Sequence, residues 1–344
     1  MKSQAHPDRQ HSPTPAAPAP PRSIAGRIGP SEALSEWGRS VNPEHLNASP
    51  PTVPRVIVIP PQLIESHHDE SPEWLAALPA QLDEYLDRWK LTRTGDFLNG
   101  AASLIVPVVR VDGTPAMLKL QPQNEESEAE ALALRTWSPD DVVTVLEDDP
   151  ATATLLLERL HDRTLNAVPD HVEATRILAE LMARLNLIPA PPEVRTLADI
   201  AAEMIEDAAD LKLSDPEEQR LLHRYADQVR EVMSEPGDRL LHWDLHYGNV
   251  MASDRQPWLV IDPKPLAGDP AFELFQALHN RWDDLVATGN LDQAIRDRFD
   301  LMIEITGIDR DRALAWTAGR VLQNTIWDEE FDPTQLVIAT ALKL

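Results

Sequence analysis

The chain has 344 residues and a formal net charge of −26, from 57 acidic against 31 basic side chains. Such a surface repels nucleic-acid backbones and anionic membranes, which excludes both as expected partners, and it attracts a cationic small molecule. Cysteine is absent, which rules out disulfides, zinc–thiolate sites and a thiol nucleophile, and fits a reducing cytoplasm.

The opening residues, Met1-Lys2-Ser3-Gln4-Ala5-His6-Pro7, offer no apolar core for a signal peptide. Residues 1–54 are rich in Pro, Ser and Ala and show no apolar period, so they read as a disordered leader with at most a short helix over 31–38. Order is expected from about 56. Spacing predicts a helix over 72–88, with Trp74, Leu75, Leu78, Leu82, Tyr85 and Leu86 on one broad face. The period then shifts toward two. Strands are predicted over 89–92, 102–111 and 116–121, with Asp112-Gly113 as the hairpin turn between the last two. The longest apolar candidate for a membrane span, 101–109, is broken by Ser103 and Pro107. A Glu- and Ala-rich helix over 125–137 follows, then strands over 142–147 and 152–158 around the turn Asp148-Asp149-Pro150.

From 170 onward the pattern is helical, over 172–187, 197–209, 216–233, 272–288, 291–306 and 310–327. The expected architecture is therefore α+β and two-lobed. An N-lobe of five antiparallel strands plus one helix spans 55–160, and a mainly α-helical C-lobe spans 161–344. The chain is expected to act as a monomer.

Between the third and fourth of those C-lobe helices lies Leu240-Leu241-His242-Trp243-Asp244-Leu245-His246-Tyr247-Gly248-Asn249-Val250, followed by Val260-Ile261-Asp262. An Asp, an Asn five residues on and a second Asp after a short hairpin is how kinase-like folds build a phosphoryl-transfer site. In that reading Asp244 orients the acceptor hydroxyl and takes its proton, while Asn249 and Asp262 hold Mg2+ on ATP. The hairpin, folded about Ser253-Asp254-Arg255-Gln256-Pro257, is expected to set Asn249 opposite Asp262, two oxygen ligands at the open end of one ribbon. An isolated Asn and Asp on a hairpin is ordinary surface; the order His-x-Asp, Asn, apolar strand, Asp is not.

Upstream, Met117-Leu118-Lys119-Leu120 puts a Lys in the third strand, where kinases use one to hold the α- and β-phosphates. Its partner is a Glu on the next helix; Glu130 is favoured, with Glu126 second. The phosphate-covering loop, Asn99-Gly100-Ala101-Ala102-Ser103, has one glycine, and Gly100 and Ser103 are its candidate phosphate contacts. Leu155-Leu156-Leu157-Glu158-Arg159-Leu160 ends a strand before the helical half, so Glu158 marks the hinge expected to offer backbone groups to adenine. His242 reads as an anchor of the catalytic loop, His246 as a supporting residue rather than a general base, and Asp269 as a cap of the next helix or a tie that holds the loop down. The acidic cluster Asp328-Glu329-Glu330 with Asp332 is a candidate for holding a cationic acceptor, although a solvated face has the same composition.

The run His242 to Val250, with Trp258-Leu259-Val260-Ile261-Asp262-Pro263-Lys264-Pro265-Leu266-Ala267-Gly268-Asp269-Pro270, resembles the aminoglycoside/hydroxyurea antibiotic resistance kinase family. Gly113-Thr114-Pro115-Ala116-Met117-Leu118-Lys119-Leu120-Gln121-Pro122, Ala133-Leu134-Arg135-Thr136-Trp137 and Leu155 to Leu160 are further matches. Two departures stand out. Trp243 occupies a place where many relatives carry a small residue, and the chain after Arg159 lacks a Gly-Ser pattern. The resemblance implies a protein-kinase-like fold, ATP- and Mg2+-dependent phosphorylation of a small antibiotic such as a streptomycin-like aminoglycoside, Asp244 as base, and Asn249 and Asp262 as metal ligands.

Overall fold

The computed structural model describes residues 59–68, 71–99 and 102–344. The leader, its short helix, the expected start of order at 56 and Gly100 lie outside the described residues.

Helices α1 (Pro61–His67) and α2 (Pro72–Arg88) lead into the N-lobe sheet, whose strands are β1 (Thr92–Arg93), β2 (Leu98–Asn99), β3 (Leu104–Val109), β4 (Pro115–Leu120), β5 (Val145–Asp149) and β6 (Thr154–Glu158). Its order is β1-β3-β4-β6-β5, with β2 also on β3. The strand expected over 89–92 starts later and is split in two. Lys90 turns with φ of 51° after α2. β1 and β2 then pair with the two ends of β3, Thr92 opposite Val109 and Leu98 opposite Ile105. Pro107 lies between those ends. Its carbonyl accepts from Thr94 N–H, but it has no N–H to return, so the ladder is interrupted there. At the β3–β4 turn Gly113 takes φ of +86° and Asp112 Oδ1 accepts from Thr114 N–H, as Asp-Gly predicts.

Alternation along β4 divides the N-lobe. Ala116, Leu118 and Leu120 pack with Leu78, Leu82 and Tyr85 of α2 in one core, while Met117 and Lys119 face the opposite side, toward the cleft between the lobes. The helix expected over 125–137 is shorter: α3 spans Glu130–Thr136. Before it, Asn124 Oδ1 accepts from the N–H groups of Glu126 and Ser127 and holds a turn instead of a helical start. Glu126 therefore does not share a helix face with Glu130.

The C-lobe contains α4 (His171–Leu185), α5 (Leu197–Asp210), α6 (Pro216–Val232), α9 (Leu291–Thr306) and α10 (Arg310–Asp328), all foreseen within a few residues. Asp170, Thr196, Asp215, Asn290 and Asp309 cap them by accepting backbone N–H groups of the first turn. The helix expected over 272–288 is broken into a 3-10 turn (Pro270–Glu273), α7 (Leu274–His279) and α8 (Trp282–Ala287). The break is at Arg281, which sits at φ of 55° while its Nη1 donates to the carbonyls of Leu165 and Val168. α1 and the terminal α11 (Pro333–Leu342) were not foreseen; each starts with proline in its first turn.

Four short strands frame the segment from His242 to Asp262. β7 (Arg239–Leu241) pairs antiparallel with β10 (Leu266–Gly268), and β8 (Val250–Met251) with β9 (Leu259–Val260). Gly237, φ +82°, is required just before β7: a Cβ there would lie 2.5 Å from backbone atoms of Gly268 and Asp269.

Candidate active site

The residues singled out in the sequence converge on one cleft of about 210 Å³ between the lobes, lined by Ser103, Lys119, Glu130, Asp244, Asn249 and Asp262 among others. Leu157, Glu158 and Leu160 border it at the end of β6, and Trp243, Phe275, Gln276, His279 and Trp327 line its C-lobe half.

Lys119 is the electrostatic centre. Its Nζ donates to Oε1 and Oε2 of Glu130 at 2.8 and 2.7 Å and to Oδ1 of Asp262 at 2.5 Å. Gln121 Nε2 adds a donor to Glu130 Oε2 at 2.6 Å. The Lys119 and Glu130 side chains are 4% and 1% exposed, whereas that of Asp262 is 49% exposed and opens into the cleft. Burial alone would lower the Lys119 ammonium, but Asp262 and Glu130 outweigh it and keep the charge on Lys119. Burial likewise pushes Asp262 up, and the Lys119 cation more than reverses that, leaving an ionised carboxylate. Of the two candidate partners, Glu130 meets Lys119. Glu126 points to the C-lobe, with Oε2 3.3 Å from Lys264 Nζ and Oε1 3.9 Å from Arg195 Nη2.

The hairpin register differs from expectation by one residue. Val250 pairs with Val260, and Ile261 N–H donates to the Asn249 carbonyl, so Asn249 faces Ile261 and not Asp262. Asp262 leaves the strand at φ of 57°, a left-handed conformation that Asp tolerates better than most residues. Both side chains still line the cleft. Asn249 Nδ2 donates to the Asp244 carbonyl at 2.9 Å, and Lys119 occupies Asp262 Oδ1. Asn249 Oδ1 and Asp262 Oδ2 are then two hard oxygen donors, a set that suits Mg2+, which takes its remaining ligands from phosphate and water.

Asp244 is held by its surroundings. Gln276 Nε2 donates to its Oδ1 at 2.9 Å, and its own N–H donates to His242 Nδ1 at 3.2 Å. His242 in turn donates from Nε2 to the Ile261 carbonyl at 2.8 Å, so one neutral ring links the Asp244 loop to the hairpin. Burial holds His242 down to about 4, which keeps it neutral near pH 7. His246 Nδ1 accepts from Gly248 N–H and starts the turn before β8. Asp269 caps the 3-10 turn through Ala271 N–H and accepts from Arg312 and Trp316, tying α10 to the loop after β10.

Glu158 borders the cleft, but its carboxylate is engaged elsewhere. Arg255, from the β8–β9 loop, donates from Nε to both carboxylate oxygens at 3.1 and 3.0 Å, and Thr144 N–H donates to Oε1 at 2.8 Å. Burial raises the Glu158 carboxyl, and these donors outweigh it and hold it below the ordinary range. Of the acidic cluster, Asp328 lines the cleft, Asp332 caps α11 through Gln335 N–H, and Glu329 and Glu330 are exposed.

Glu273, and the contacts made by Trp243 and Lys264, escaped the sequence reading. Glu273 is fully buried, and its Oε1 accepts the N–H groups of His242 and Trp243 at 2.5 and 2.8 Å. Burial pushes its carboxyl up to about 7. The available signal was a lone Glu inside Ala271-Phe272-Glu273-Leu274-Phe275. Trp243 takes φ of 62°, unusual for so bulky a residue, and its ring lies 4.2 Å from the Arg195 guanidinium carbon and 5.6 Å from that of Arg320. Lys264, visible within Asp-Pro-Lys-Pro, lines the cleft with its Nζ 4.0 Å from Asp244 Oδ2.

The model of the aminoglycoside/hydroxyurea antibiotic resistance kinases matches residues 88–331, which include Lys119, Glu130, Asp244, Asn249, Asp262 and Lys264. The chain belongs to this family. It is a phosphotransferase with a protein-kinase-like, two-lobed fold. It is 50% identical over 301 residues to the streptomycin 6-kinase of Streptomyces glaucescens, covering 84% of this chain and 98% of that one. It is 45% identical over 284 residues to the hydroxyurea phosphotransferase of Kitasatospora aureofaciens, covering 80% and 81%. Among solved structures, a spectinomycin phosphotransferase in complex with ADP and spectinomycin shares the fold, with a TM-score of 0.50 at 13% identity over 77% of this chain and 98% of that one. Among the described residues, no helix is long and apolar enough to cross a membrane.

Proposed function

We propose that the protein transfers the γ-phosphoryl group of ATP, bound with Mg2+, to a hydroxyl of a streptomycin-like aminoglycoside and so inactivates it. The observation that carries the chemistry is the meeting of Lys119, Asp244, Asn249 and Asp262 in one cleft. Lys119, fixed by Glu130, binds the α- and β-phosphates, and hinge backbone after β6 meets the adenine. Asn249 and Asp262 would hold Mg2+, which when bound would supply positive charge to the phosphates. Asp244 accepts the proton of the acceptor hydroxyl, whose oxygen bonds to the γ-phosphorus as the bond to the β-phosphate oxygen breaks and ADP leaves.

Streptomycin as acceptor is supported by the 50% identity to one streptomycin 6-kinase and 47% to another, from Streptomyces griseus, over 97% of its length. The cleft also extends past Asp244 to Trp327 and Gln335, room that a molecule as small as hydroxyurea does not need. The acidic chain attracts a cationic drug, and ATP as donor fits a cytoplasmic site. The test is purified protein with Mg·ATP and separate streptomycin, other aminoglycosides and hydroxyurea, with products read by mass spectrometry. A phosphate on streptomycin at its 6-hydroxyl is expected; transfer to hydroxyurea alone would overturn the acceptor assignment and leave the phosphotransferase.

A further inference from the structure

Among the described residues, three Lys and Arg side chains line the cleft, Lys119, Lys264 and Arg320. Lys119 is saturated by two carboxylates at 2.7 and 2.5 Å. Arg320 is buried against the faces of Trp243 and Phe272 and donates from Nη1 to Gln323. Lys264 differs from both. Its Nζ stands 3.3 Å from Glu126 Oε2 and 4.0 Å from Asp244 Oδ2, longer than either Lys119 pair, and its side chain is 30% exposed. Its backbone is fixed, since Lys264 N–H donates to the His242 carbonyl on the catalytic loop. The ammonium is thus anchored beside the catalytic carboxylate while its donors are only loosely engaged.

The charge balance of the reaction gives such a cation a task. The transferring phosphoryl group carries charge on its peripheral oxygens throughout the transfer, next to the Asp244 carboxylate. The catalytic loop supplies no Lys or Arg to offset this: Leu245, His246, Tyr247 and Gly248 separate Asp244 from Asn249. We propose that Lys264 is a further catalytic residue, binding the γ-phosphate of ATP and the transferring phosphoryl group, and that Glu126 is the positioning residue that holds it over the cleft. Lys264 forms no covalent bond. It moves from between two carboxylates to the phosphoryl oxygens when ATP enters and returns when ADP leaves. The inference rests on the phosphotransferase reading but not on the identity of the acceptor.

The experiment compares binding of Mg·ADP and of Mg·AMP-PNP, a non-hydrolysable triphosphate, to the full chain by calorimetry, for the parent, Lys264→Met and Lys264→Arg. Lys264→Met is expected to weaken the triphosphate at least tenfold and ADP less than twofold, with Lys264→Arg close to the parent for both. Turnover on streptomycin should fall in Lys264→Met by at least a hundredfold in kcat, with its KM changed less than threefold. Equal weakening of both nucleotides, which is what a structural role or a poorly folded variant gives, or no change in either, would overturn the proposal. Preserved triphosphate discrimination in a parent that never phosphorylates streptomycin would instead remove the acceptor assignment.

Discussion

Lys119 and Asp262 lie 143 residues apart in the chain, and their side chains meet at 2.5 Å across the two lobes. Glu130 completes the contact from α3, so one buried cation ties together β4, α3 and the end of β9. Breaking a buried charge set by removing one member costs ~3–5 kcal/mol, because the remaining charges stay desolvated. Lys119→Met should therefore lose stability on that order in addition to activity. Lys119→Met/Glu130→Gln should recover part of the stability and none of the turnover, since the amide no longer needs a counter-charge. Denaturant melts and turnover on the same samples check this; equal stability of the single and double variants would sink it.

Asp244 is oriented by Gln276 and anchored through His242. If it is the base, Asp244→Asn should lower kcat ~10²–10⁴-fold, the usual range for a positioned general base. Affinity for Mg·ADP, read by calorimetry, should stay within threefold. Gln276→Leu removes orientation only and should cost about tenfold in kcat, within what misplacement of a catalytic group costs. A kcat in Asp244→Asn within fivefold of the parent would refute the assignment.

Glu273 gives a pH signature. Its carboxyl titrates near 7 when folded against an ordinary 4.5, so the folded state holds a proton that the unfolded chain has released between those values. Its contribution is fully present below pH 4.5 and is lost as pH rises through 7, at most about 3 kcal/mol in total. Glu273→Gln keeps a carbonyl oxygen for the His242 and Trp243 N–H groups and removes the titration. Stability of the variant relative to the parent should therefore rise between pH 4.5 and 8. His242, held down to about 4, contributes the opposite slope in both proteins and cancels in the difference. A flat difference across that range would contradict the buried protonated carboxyl.

Glu158 should behave as a structural residue. Its carboxylate is bound by Arg255 and Thr144 N–H, so Glu158→Gln should leave ATP KM within threefold while costing ~1–3 kcal/mol of stability, the scale of charge-assisted hydrogen bonds. Arg255→Ala should show the same pattern. A tenfold rise in ATP KM with unchanged stability would return the side chain to the nucleotide site.

Much of the fold was readable in the chain. The shift of apolar period from two to 3.6, the Asp112-Gly113 turn and Asp215-Pro216 at the head of α6 each act within a few residues, and local chemistry decides them. Errors arose where a distant contact decides. Pro107 splits the first strand only because β3 lies beside it, and Arg281 breaks the helix expected over 272–288 by reaching carbonyls of Leu165 and Val168.

The sequence by itself determined the reaction class, because Lys119, Asp244, Asn249 and Asp262 in that order and spacing, with Asp-Pro-Lys-Pro behind them, are a chemical set that few folds carry. Only the tertiary structure decided how those residues connect. It set Asn249 against Ile261, gave Lys119 to Glu130 and turned Glu126 toward Lys264. It also buried Glu273 beneath the backbone of His242 and Trp243. The physical reason is range: propensity and periodicity act over a turn or a strand. A charge pair or buried hydrogen bond acts over about 3 Å between residues that only the packing of the two lobes brings together.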